Sequence, residues 1–201
     1  MSDSWAFSRR GALRLSAAAA LVSVASPALA LAAAHPALAA AKAGLARVGG
    51  RIAHRDVVGV ADFGRPSSDA RLHLVDMASG QVTSLLVAHG RGSDPAHTGW
   101  LSRFSNTPGS DCTSDGAYLT GADYVGEHGP SMRLIGLDPS NDNAESRAIV
   151  VHSAAYVGPG VLRAQNGVLG RSNGCFAVSQ TDLPSVLGRL PPGSLLVAAK
   201  L

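Results

Sequence analysis

Near the C-terminal end, Gly170-Arg171-Ser172-Asn173-Gly174-Cys175 places a cysteine at the close of a tight polar turn, directly ahead of the apolar run Phe176-Ala177-Val178. A thiol in that setting is displayed at a strand end. The thiolate is the reactive form, and an ordinary thiol is mostly protonated at neutral pH, so the cysteine needs a base. His152 ends the apolar run Ala148-Ile149-Val150-Val151 and is expected to emerge from the end of a buried strand. Imidazole has the right unperturbed pKa for that task. Gly174 permits close backbone approach. The N–H groups of Gly174 and Cys175 are the candidate oxyanion donors for a tetrahedral intermediate, and one such donor contributes on the order of 3 kcal/mol to lowering a barrier. Together these residues predict acyl transfer through a cysteine.

The elements that must position them are short and mostly extended. β-type runs cover Val57 to Phe63, Arg71 to Met77 and Gln81 to Ala88, the last two flanking Ala78-Ser79-Gly80 as a hairpin. Residues 89–115 are rich in Gly, Ser, Asp, Thr and Pro and read as one long loop, a length that usually signals function. Further strands are expected at Ala117 to Thr120, Ser131 to Leu137, Ala148 to His152 and Ser194 to Ala199. Helices are expected at 40–48 before Gly49-Gly50, near Val161 to Gln165, and at Leu183 to Leu190 before Pro191-Pro192-Gly193. Many short strands with few helices predict a mainly β fold, a small barrel or sandwich with a few short peripheral helices.

The ends and the composition narrow the class. Ser8-Arg9-Arg10-Gly11-Ala12-Leu13-Arg14 precedes the apolar run Leu15 to Ala25 and the small-residue site Ala28-Leu29-Ala30. That is the order of an export signal over residues 1–30, with cleavage near Ala30 or, alternatively, near Ala39. Arg9-Arg10 resembles a twin-arginine address, although Ala12 stands where a bulky apolar residue is usual. The expectation is an exported protein of the periplasm or cell wall, with a short helical lead-in over 31–55, a catalytic domain over 56–201, and no stable membrane insertion after cleavage. Two of the three net positive charges lie in the leader, and no basic run or zinc-finger spacing points to nucleic acid. His54, His73, His89 and His97 lack metal-ligand spacing and read as surface or loop residues, so neither a metal nor another cofactor is expected. Cys112 could pair with Cys175 in an oxidising compartment or remain a free loop thiol, and Cys175 could itself be an inert buried thiol. His128 and Tyr156 are candidate contacts of a substrate cleft, while Asp111, Asp115, Asp142 and Glu145 read as solvated loop charges. No oligomeric state is implied.

His152-Ser153 followed by Ser172-Asn173-Gly174-Cys175 resembles the signature of the murein L,D-transpeptidases with a YkuD-type catalytic domain, in a divergent branch. That signature is a His followed by Gly or Ser, a spacer, then Ser/Thr-His-Gly-Cys. Phe104 to Ser110, Asp115 to Gly121, His128-Gly129 and Met132-Arg133-Leu134 extend the resemblance over about residues 70–200. It implies that Cys175 is the nucleophile, His152 its base, Ser153 the residue that orients the His through its carbonyl, and Gly174 and Cys175 the oxyanion donors. It also implies substrate contacts at Ser172 and Asn173. The implied partners are peptidoglycan stem peptides, as donor and acceptor, and no cofactor. The same acyl-enzyme resolved by water would make an L,D-carboxypeptidase or endopeptidase, and loss of activity would leave a wall-binding protein. Two departures stand out. Asn173 replaces the second motif His, and Ala177 replaces an Arg or Asn common two positions after the Cys, which leaves Arg171 or Arg133 as the candidate carboxylate anchor.

Overall fold

The computed structural model describes residues 35–201, and the export leader expected over 1–30 lies outside them. Eight strands form one sheet: β1 (His54–Asp62), β2 (Ala70–Asp76), β3 (Val82–Leu86), β4 (Gly116–Gly126), β5 (Gly129–Gly136), β6 (Val150–Ser153), β7 (Phe176–Val178) and β8 (Ser194–Ala199), in the order β3-β2-β1-β8-β4-β5-β6-β7. The chain after β3 then returns to β7. Ala88 bridges Ala177 and Gly90 bridges Ser172, so the sheet curls into a nearly closed barrel. The expected mainly β barrel with short helices is the observed architecture.

The central strand β8 is apolar at every position from Leu195 to Ala198 because both of its faces are covered. Leu196 and Ala198 join the inner core with Phe63, Leu72, Leu74, Tyr118, Met132 and Phe176. Leu195 and Val197 face outward and pack under helix α1 (Pro36–Val48) with Val58, Val60 and Ala117. Helix α1 buries Ala37, Ala41, Gly44 and Val48, the spacing of one helical face. A Cβ on Gly44 would stand 2.9 Å from Val197 Cγ2, so the missing side chain lets the helix lie close on the sheet. The helix starts four residues before the expected 40–48, since Pro36 suits a first turn and His35 Nδ1 accepts from Ala37 N–H. Ala39, the alternative leader cut, lies in that first turn, and β1 begins at His54, inside the segment assigned to the lead-in.

Two short helices, α2 (Pro159–Ala164) and α3 (Leu183–Arg189), follow β6 and β7. The expected long loop over 89–115 is irregular apart from a 3₁₀ turn at Arg91–Ser93. The segment Ala117 to Thr120 belongs to a longer strand. β4 runs on to Gly126 across a register shift between Thr120 and Asp123 and turns through Glu127-His128 into β5.

Candidate active site

Strands β6 and β7 run parallel, with Val151 opposite Phe176 and His152 opposite Ala177. Side chains alternate along a strand, so Cys175, two residues before Ala177, projects on the same face as His152. Both line a cavity of about 230 Å³, together with Ser172, Asn173 and Arg171 from the preceding turn, Tyr156 beyond β6 and His128 from the β4–β5 hairpin. Six of the residues singled out in the sequence therefore meet Cys175 in one cleft.

Each has definite surroundings. His152 is 3% exposed, and its Nδ1 donates to the carbonyl of Ser153 at 2.9 Å. That tautomer leaves the lone pair on Nε2. Burial pushes the imidazole pKa down, the Ser153 carbonyl raises it, and His128 lowers it further. The His128 ring stacks on the His152 ring at 4.3 Å between centroids. Cys175 is 8% exposed, and its Sγ donates to Ala148 O at 3.6 Å rather than to the imidazole. Burial pushes the thiol pKa up, against the N–H of Val150, the charge of Arg147 and the thiol's own backbone N–H. With the thiol raised and the imidazole lowered, the resting pair is neutral thiol and neutral imidazole. Such a pair reacts by general-base proton transfer, and free-enzyme hydrogen bonds of this kind often tighten only when substrate arrives.

The turn that presents Cys175 is closed by Ser172, whose Oγ donates to Cys175 O at 2.7 Å and accepts from Gly174 N–H at 3.1 Å. The Gly174 N–H is thus already committed. The N–H of Cys175, the other oxyanion donor expected from the sequence, lies near its own sulfur. Gly174 sits at φ +120°, and a Cβ there would lie 2.7 Å from Cys112 O. Arg171 lines the cleft while donating from Nη1 to the carbonyls of Asp94 and Pro95.

Arg133 does not join the site. Its guanidinium stacks 4.4 Å above the Tyr124 ring and lines a separate small hollow with Glu145 and Ala148. Several other expectations change with burial. His73 and His89 are core residues, His73 bonded to Ser84 Oγ and His89 to Arg71. Cys112 is fully buried instead of displayed on the loop, and both cysteines are free thiols. Asp111 is paired with Arg91. Tyr118, as is usual for a tyrosine in a core, is buried with its hydroxyl bonded to Ser114.

Sequence reading missed the residues that back the turn. Thr113 accepts Gly90 N–H and donates to Gly174 O at 3.1 Å, tying the long loop to the turn that carries Cys175. Ala148 holds the left-handed conformation at φ +53° and supplies the carbonyl that accepts the thiol's hydrogen bond. Arg147 donates to Ser105 O and Cys112 O behind Gly174. Nothing in the pattern of a polar loop marks such residues, because their roles depend on contacts far apart in sequence.

The L,D-transpeptidase catalytic domain description matches residues 32–198. The chain belongs to that family. A search of curated proteins gave no match. Among solved structures, the L,D-transpeptidase fold covers 72% of this chain in three similar cases. They are an L,D-transpeptidase from Mycobacterium tuberculosis H37Rv (18% identity, 58% of that chain, TM-score 0.46), L,D-transpeptidase 3 from Mycobacterium tuberculosis in complex with a faropenem-derived adduct (17% identity, 60% of that chain, TM-score 0.45) and an L,D-transpeptidase from Mycobacterium smegmatis (16% identity, 58% of that chain, TM-score 0.42). The chain spans about three fifths of the length of these structures. Within this L,D-transpeptidase-family domain, Ala177 is fully buried, paired to His152 on one side and Ala88 on the other.

Proposed function

We propose that this domain is a peptidoglycan L,D-transpeptidase that acts outside the cytoplasm through a Cys175 thioester. What supports the reading most is the convergence of Cys175 and His152, on the same face of neighbouring parallel strands, upon one cleft in a member of this family.

The thiol turns from the Ala148 carbonyl toward the cleft, and His152 Nε2 takes its proton. Cys175 Sγ attacks the carbonyl of the third residue of a stem tetrapeptide, and the oxyanion is received by the Cys175 N–H. Collapse expels the terminal D-Ala amine, which takes the proton from His152, and leaves the thioester. An amine of a neighbouring stem attacks the thioester, gives a proton to the imidazole and releases the thiol, forming the cross-link. Asn173 cannot serve as an acid or base, so His152 carries both proton transfers. The carboxylate of the donor stem is met by Arg171, with Tyr156 and His128 lining the cleft.

Intact-mass spectrometry of the reduced domain with a carbapenem tests the nucleophile. One covalent adduct is expected on the native chain and none on Cys175→Ala. Incubation with a disaccharide tetrapeptide then reads the product: a cross-linked dimer is the expected outcome, and tripeptide alone would replace transfer with hydrolysis. A folded, reduced chain that forms neither adduct nor product would overturn the enzymatic reading.

A further inference from the structure

We propose that Arg147 is a positioning residue of the nucleophile, holding the Gly174-Cys175 turn from behind and stabilising the Cys175 thiolate through space. The inference rests on Cys175 being the nucleophile.

Arg147 sits just before Ala148, whose carbonyl accepts the thiol's hydrogen bond, so one short segment brings both groups to the turn that carries the sulfur. Its guanidinium is fixed by uncharged acceptors: Nη1 donates to Ser105 O at 3.0 Å, and Nη2 to Cys112 O and, at 3.4 Å, to Ser110 Oγ. Among the described residues it has no carboxylate within ion-pair distance. Nη2 abuts Gly174, lying 3.3 Å from where a Cβ on that glycine would stand. A permanent cation is therefore held beside the residue preceding Cys175 without a direct ion-pair partner among the described residues. A guanidinium keeps its proton across the working range, and a nearby positive charge favours a thiolate over a thiol.

The other groups around Cys175 leave this task open. His152 resists protonation because it is buried and lies against His128. Tyr156 has its hydroxyl pushed up to about 12, chiefly by burial, and stays neutral. Arg171 is tethered through Nη1 to the Asp94 and Pro95 carbonyls and is assigned to the substrate carboxylate instead. On the Ala148 side, Arg133 lies over Tyr124, and Glu145 lines the same hollow. Arg147 is the charge that works against the effect of burial on the thiol.

The test is the pH dependence of Cys175 alkylation by iodoacetamide, followed by peptide mass on the reduced domain so that Cys112 is counted separately. Arg147→Gln is expected to move the midpoint upward and slow alkylation at pH 7 by about three- to tenfold, with Arg147→Lys restoring most of the rate. An unchanged midpoint in Arg147→Gln overturns the electrostatic role, and a Lys variant as slow as Gln reduces Arg147 to a brace. If Arg147→Gln does not fold, Ser110→Asp decides, since it pairs a carboxylate with Nη2. It should raise the midpoint, whereas Thr107→Asp, elsewhere on the same loop, should not, and equal effects would refute the inference. The readout needs no peptidoglycan. A missing carbapenem adduct with the Arg147 shift intact would sink only the transpeptidase reading, and an intact adduct without the shift would sink only this one.

Discussion

The His128 and His152 rings stack with 24° between their planes, so a residue of the β4–β5 hairpin tip lies directly against the proposed base on β6. The contact covers one face of the imidazole and lowers its proton affinity. The base form of His152 exists above its pKa, and a lowered pKa extends activity toward acid. Replacing His128 by Phe keeps the stack and removes the like charge, so the His152 pKa should rise. The acid limb of kcat/KM, or of carbapenem acylation, is expected to move to higher pH, with about a two- to threefold loss at pH 6 and little change at pH 8. A pH profile superimposable on the native one would remove His128 from this role.

Stability should depend on pH through two histidines outside the cleft. Burial lowers His73 and His89 to about 4, with Arg71 adding to the effect at His89. Both groups bind protons more readily in the unfolded chain. The stability they leave intact above about pH 6.5 is therefore lost as pH falls toward 4, by up to roughly 3 kcal/mol for each. Thermal unfolding followed from pH 7.5 to 4.5 should show a falling Tm, and His73→Gln should flatten part of the slope. A Tm that stays level over that range would contradict the burial of these rings.

Arg71 is fully buried and gives hydrogen bonds to Val87 O, Arg65 O and His89 Nδ1, with its guanidinium over the Phe63 ring. Arg71→Met would leave these acceptors unmatched in the core. A loss of about 3 kcal/mol or more is expected by urea unfolding. Because the His89 carbonyl accepts Ser172 N–H, acylation should slow as well. A variant as stable as the native chain would show that the core rearranges around the change.

Gly174→Ala should be severe. The φ of +120° strains any L side chain, and the new Cβ would lie 2.7 Å from Cys112 O and 2.8 Å from Ile149 Cδ1. A stability loss of about 1–3 kcal/mol is expected, with Tm lower by roughly 2–4 °C for each kcal/mol. Carbapenem acylation should fall more than tenfold, since the turn that aims the sulfur must shift. Normal acylation by this variant would show that the turn tolerates another conformation.

Strand positions could be read in advance because they depend on local pattern: apolar runs bounded by Gly and Pro. That Cys175 and His152 belong to one cleft was implied only by the resemblance, since the two lie far apart in the chain. The closing bridges Ala88–Ala177 and Gly90–Ser172 could not, since neither partner carries a periodic signal. Arg133 was misplaced for a related reason. Its register opposite Val150 is legible only once β5 and β6 are paired, and the nearby Tyr124 ring then captures the guanidinium. His89 looked like a loop residue because its polar neighbours resemble solvent-exposed sequence, yet the loop folds inward over Arg71. The role of Gly174 N–H depended on which way the Ser172 hydroxyl turned, a choice no residue pattern encodes.

The same bridges would tie the proposed catalysis to the final stage of folding. The seam at Ala88–Ala177 and Gly90–Ser172 joins segments widely separated along the chain, and it is also what aims Cys175. Contacts of such long range form late, after the local hairpins. A chain that has its hairpins but not its seam therefore carries both the thiol and the imidazole without a catalytic centre, so acyl-transfer competence would itself report that the barrel has finished assembling.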